Sequence, residues 1–261
     1  MSAPAKTQPE TAAAPAISPT AGLILLAWLA LGAALGLVPD LRGPLTFGFV
    51  LVGWVLAVMA HEFGHALVAW LGGDHTVAAK GYLTLDPRHY LDAGTSLVIP
   101  LVVLAVGGVG LPGGAVYLRP DLMRGPLWRA AASLAGPGMT LVVLLFLSGG
   151  LAVLRAAAPD AQALAPALAF LAFLQATAFC LNLLPIPGLD GYGALRPFLP
   201  GALTLRLRKL EGLLFIGFAV LLLTPSPLNR LVFGAAADLA GWAGVPGQLI
   251  FEGFNAFRFW V

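Results

Sequence analysis

Charge is what this chain most lacks. Only 10% of its 261 residues are Asp, Glu, Lys or Arg, against roughly 25% in a soluble domain. With 59% hydrophobic residues and a mean hydropathy of +0.90, this scarcity excludes a soluble globular enzyme and indicates an integral membrane protein. A net charge of only +2 gives no basic surface for nucleic acid, so none is expected as a partner. The single cysteine, Cys180, excludes an internal disulfide and, within an apolar stretch, reads as a small buried hydrophobe. Long polar stretches are also missing, which leaves no room for a separate soluble domain. Glycine and proline, by contrast, are plentiful at 32 and 21 residues, as suits helices that pack closely and break at defined points.

Three regions are expected. Residues 1–20 are rich in Ala, Pro, Ser and Thr and read as a disordered tail, residues 21–245 as the membrane-embedded domain, and residues 246–261 as an interfacial segment. Ala21–Val38 is a first span, and a leader holding one lysine favours an uncleaved helix over a signal peptide. Phe47–Gly72, Leu127–Leu154 and Ala163–Leu184 follow, then the apolar run Gly212–Leu223. Residues 228–244 form either a last span or an interfacial helix. The C-terminal aromatics Phe251, Phe254, Phe257, Phe259 and Trp260 suit an interfacial anchor. The fold class is an all-α polytopic membrane protein with about five to six transmembrane helices. In the polar interval 73–94, alternation over Lys80–Pro87 predicts a short strand or a simple loop hairpin.

Within the second span stands His61-Glu62-Phe63-Gly64-His65. Histidines four residues apart share one helix face, so both imidazoles can reach one metal ion. Glu62, about 100° around the helix, can reach water on that metal without being a ligand. The pattern is that of a zinc hydrolase, in which the metal acidifies water and a carboxylate takes its proton. An ionisable trio is costly in hydrocarbon, which argues against a pair of structural histidines. His75 and His89 have no ligand-like spacing and read as surface residues.

Two histidines leave zinc one protein ligand short of a catalytic set. Asp190, in Asn182-Leu183-Leu184-Pro185-Ile186-Pro187-Gly188-Leu189-Asp190-Gly191, is the best candidate. Residues 95–109 decide whether it can arrive. They are apolar but carry Pro100, Gly107 and Gly108, and a re-entrant segment there leaves two crossings between His65 and Asp190, returning the chain to the same side. It also gathers Lys80, Arg88, Arg119, Arg124, Arg129, Arg196, Arg206, Arg208 and Lys209 on one face, with Arg42 and Arg155 opposite. That is the charge asymmetry of a cytoplasmic side.

These residues resemble the site-2 protease family of intramembrane zinc metalloproteases, in a compact form without a PDZ or CBS domain. His61–His65, Asn182–Gly191, Ala135-Gly136-Pro137 and Leu83-Thr84-Leu85-Asp86-Pro87 carry the resemblance, which covers roughly residues 45–200. It implies one Zn2+ per chain, with His61, His65 and Asp190 as ligands and Glu62 as general base. It also implies hydrolysis of peptide bonds within or beside transmembrane segments of protein substrates in the lipid bilayer. Asn182 would orient substrate or stabilise the oxyanion, or else cap the helix break. The chain departs from the family pattern at Thr140, where an Asn is frequent, and at Tyr192-Gly193, in place of Gly-Arg. The expected location is a bacterial inner membrane, with the site opening to the cytoplasm.

Two other functions fit parts of the pattern. A zinc-binding scaffold would have no use for Glu62. A divalent-metal transporter would need further intramembrane sites along its path, and no second acid–histidine cluster occurs within the spans.

Overall fold

The computed structural model describes residues 17–89, 116–157 and 163–261. They form nine α-helices: α1 (Pro19–Leu37), α2 (Arg42–Gly72), α3 (Thr76–Ala79), α4 (Pro126–Ala157), α5 (Leu164–Asn182), α6 (Asp190–Leu195), α7 (Gly201–Leu223), α8 (Pro227–Trp242) and α9 (Gly247–Phe257). Among the described residues, four segments are long and apolar enough to cross a membrane: α1, Pro39–Gly72, α4 and α5. A fifth crossing results if α7 and α8, bent by 70°, count as one span. Four to five among the described residues meets the expected five to six at its lower end, because the runs 212–223 and 228–244 are the two arms of one bent pair. Ser226 fixes the bend by capping α8, its hydroxyl accepting from Asn229 N at 3.0 Å while Asn229 Nδ2 donates to Leu222 O at 2.6 Å.

The four spans are all apolar enough to sit in lipid, so burial inside the bundle separates them. α5 is the hub: 78% of its span is buried, against 17% for α1. Ala167, Phe170, Leu171, Leu174 and Leu181 lie at 1% exposure or less. α2 and α4 run antiparallel beside it, with Gly72 at Trp128 and Gly64 at Ala135. At about 1.5 Å per residue the 31 residues of α2 reach about 46 Å, longer than the ~30 Å hydrocarbon layer. The helix ends at Gly73, whose φ of 116° suits glycine.

The strand expected over Lys80–Pro87 is not formed. Gly81–Leu85 is a run of turns, with Tyr82 N donating to Val77 O and Thr84 N to Gly81 O. Gly81 and Leu85 at φ 76° and 53° break the extended geometry that alternation requires, and Tyr82 and Leu83 are both buried. Arg88 hydrogen-bonds Asp86 at 2.6 Å and holds its carboxyl below the usual range. The re-entrant segment expected over 95–109 lies outside the described residues. The C-terminal aromatics divide their work. Phe254 meets Phe170 of α5 edge-on and Phe257 packs tilted against it, while Phe251 and Trp260 stay exposed.

Candidate metal centre

Three helix ends and faces converge on one point. His61 and His65 leave α2 on the face toward α4, and Asp190 opens α6 just after the break at Pro185–Gly188. His61 Nε2 lies 3.0 Å from His65 Nε2 and 3.2 Å from Asp190 Oδ2, and His65 Nε2 lies 3.3 Å from Asp190 Oδ1. All candidate ligand atoms fall within 4.8 Å of one another, so the trio could hold one metal ion. The structure therefore brings together residues 125 positions apart in the chain.

The outer nitrogens determine what the inner ones offer. His65 Nδ1 lies 2.7 Å from Ala132 O, a pure acceptor, so the proton sits on Nδ1. His61 Nδ1 lies 2.8 Å from Thr140 Oγ1, whose own hydroxyl donates to Gly136 O at 3.2 Å. The Thr140 oxygen thus accepts from His61, and a neutral His61 likewise turns a bare Nε2 inward. Two lone pairs 3.0 Å apart cannot hydrogen-bond each other. Asp190 Oδ2 is buried and finds no hydrogen bond of good geometry among the described residues, despite its closeness to His61. Two bare imidazole nitrogens and an orphaned carboxylate oxygen facing one point call for a cation, and this donor set suits zinc.

Close packing makes the convergence possible. A Cβ on Gly136 would overlap both imidazoles, approaching His61 Nε2 to 2.6 Å. A Cβ on Gly64 would meet Ala135 O at 2.6 Å. The glycine inside the His-Glu-Phe-Gly-His motif therefore lets α2 touch the α4 backbone, and Gly136 receives the rings. Pro137 sits inside α4 directly after it.

Glu62 is buried beside the trio, and its Oε2 accepts from Val116 N at 3.0 Å. His61, Glu62, Thr140, Gln175 and Asn182 line one small cavity of about 20 Å³ between α2, α4 and α5. A second cavity of about 220 Å³ holds Asp190, Tyr192, Arg196, Thr204, Arg208 and Glu211. His75 and His89 are exposed and remote, as expected. Sequence reasoning flagged Thr140 only as a departure and missed Gln175. An amide in an otherwise apolar helix was the available signal for Gln175, whereas the Ala132 carbonyl and the Val116 N–H, being backbone, leave none.

Comparison with known proteins agrees with this chemistry. Over 244 residues the chain is 42% identical to a protein of Mycolicibacterium smegmatis that carries the provisional name zinc metalloprotease Rip2, covering 91% of this chain and 92% of that one. The Rip2 protein of Mycobacterium tuberculosis is 44% identical over 214 residues, 82% of this chain and 81% of its own. YwhC of Bacillus subtilis, also provisionally named a zinc metalloprotease, is 31% identical over 188 residues, 68% of this chain and 81% of its own. No family model matches, and no solved structure matches. Relatives of this identity and coverage, beside a zinc-type donor set inside a membrane bundle, place the chain in the site-2 protease family of zinc metalloproteases.

Proposed function

We propose that this protein hydrolyses peptide bonds within or next to the transmembrane segments of other membrane proteins. The observation that carries the reading is the convergence of His61, His65 and Asp190 beside a buried Glu62 among membrane-crossing helices. His61, His65 and Asp190 hold the zinc. When bound, zinc polarises the scissile carbonyl and lowers the pKa of water. Glu62 is the general base, taking a proton from the attacking water and delivering it to the leaving amine. The Val116 N–H fixes one of its oxygens, leaving the other for that transfer. Asn182, the last residue of α5, lines the Glu62 cavity and donates to the substrate carbonyl or its oxyanion. In hydrocarbon a peptide bond is shielded and its carbonyl already bonded, so water must be admitted and the substrate helix unwound. The polar cavity at Asp190, lined by Arg196, Arg208 and Glu211, supports entry from the arginine-rich side. That side is cytoplasmic by the positive-inside rule, and the bacterial origin of the relatives supports an inner-membrane location.

Cells carrying wild type or Glu62→Gln test the reading. Membrane proteins should accumulate as uncut precursors in Glu62→Gln alone. Equal processing in both would remove Glu62 as the base.

A further inference from the structure

Gln175 has no part in the reading above, yet it is a buried amide in α5. It lies at 1% exposure in the most buried helix of the bundle. Its Nε2 has no hydrogen-bond partner among the described residues. An unpaired buried amide costs roughly 1–3 kcal/mol, and an unsatisfied group in a native structure calls for an explanation. A structural role would be served as well by an apolar side chain such as the neighbouring Leu171 and Leu174.

Its position supplies that explanation. Gln175 and Asn182 are seven residues, about two turns, apart on one face of α5, and both line the cavity shared with His61, Glu62 and Thr140. That cavity, about 20 Å³, exceeds the roughly 10–15 Å³ that one water needs, and a buried water also needs two to four polar partners. The Gln175 amide, the Asn182 amide, the Thr140 hydroxyl and the Glu62 carboxylate provide them. Ala57, Val58 and Ala178 complete the lining with hydrocarbon and Trp54 with its indole, so the acceptors for a water lie at the end occupied by Glu62, Thr140, Gln175 and Asn182.

We infer that Gln175 holds a reserve water in this cavity beside Glu62, and that this water replaces the one spent at each hydrolysis. The inference rests on the proteolytic reading. Each turnover consumes one water: its oxygen bonds the carbonyl carbon as the C–N bond breaks, one proton leaves with the amine and the other stays on the new acid. Water for a site among lipid-facing helices has to come through a polar entry such as the cavity at Asp190, and a molecule held beside Glu62 shortens the last part of that path to one step.

The test compares wild type, Gln175→Met and Gln175→Ser, each purified as the full zinc-loaded chain and reconstituted with a transmembrane substrate. Gln175→Met keeps the volume but cannot bond water, and should lower kcat about tenfold with KM and zinc content unchanged. Gln175→Ser leaves a hydroxyl and added room for water, and should restore most of kcat. A high-resolution structure should show density for a water beside Gln175 in wild type and none in Gln175→Met. An unchanged kcat in Gln175→Met, a rise in KM alone, or an empty cavity in wild type would each overturn the inference. A rise in KM would make Gln175 a substrate contact instead. Wild type that cleaves nothing would sink the proteolytic reading itself, whereas the density still reports on the water.

Discussion

At the scale of single residues, the site depends on who holds the far side of each imidazole. Thr140 stands where the family pattern often has Asn, and its oxygen keeps His61 Nδ1 protonated and Nε2 free. Thr140→Val should weaken zinc binding by about 10–100-fold in a chelator-competition titration, with the helical content unchanged. Undiminished affinity would mean that Thr140 only fills space. His65 is held by the Ala132 carbonyl, which no side-chain substitution removes. This difference decides what could be read in advance. His61, Glu62, His65 and Asp190 announce themselves by residue type and spacing. The Ala132 carbonyl and the Val116 N–H are backbone groups brought in by tertiary packing, and the sequence carries no local mark of them, whereas an amide in an apolar helix was the mark Gln175 offered.

At the scale of elements, the contact of α2 with α4 explains two motifs as one feature. Gly64 and Ala135-Gly136-Pro137 are halves of a close approach in which backbone, rather than side chain, meets the metal-bearing helix. Gly64→Ala pushes a methyl against the Ala135 carbonyl and should destabilise the bundle by about 1–3 kcal/mol, seen as a lower unfolding temperature. Gly136→Ala, whose methyl would strike the imidazoles themselves, should instead lose zinc at nearly unchanged backbone stability. If the two variants behaved alike, the division between packing glycine and site glycine would be wrong. The long spans α1, α2, α4 and α5 were legible from apolar length alone. The strand over Lys80–Pro87 was not, because alternation cannot reveal the left-handed backbone at Gly81 and Leu85. Nor does hydropathy separate one bent pair from two spans, since the 70° turn at Thr224–Ser226 is made by a cap and leaves both arms apolar.

At the scale of the whole molecule, α4 and α5 are the two spans described between His65 and Asp190, and the proposed topology puts both halves of the site on one side of the bilayer. Single cysteines, introduced after replacing Cys180, test the orientation. In intact cells an impermeant thiol reagent should label Asp40→Cys and spare Arg208→Cys, and the reverse pattern would invert the topology. A metal bound by His61, His65 and Asp190 as proposed would link the same halves energetically, since an ion held between α2 and α6 stabilises only the folded bundle. At a thousandfold excess over its Kd that linkage amounts to about 4 kcal/mol. Chelation should lower the unfolding temperature of wild type reversibly and leave Asp190→Ala unaffected.

The most direct measurement places metal content and cleavage side by side in one preparation. Wild type, Glu62→Gln and Asp190→Ala are each reconstituted with a transmembrane peptide, and zinc per chain is determined on the same samples. The account predicts one zinc with cleavage for wild type, one zinc without cleavage for Glu62→Gln, and neither for Asp190→Ala. Cleavage by zinc-loaded Glu62→Gln, or full zinc in Asp190→Ala, would contradict it.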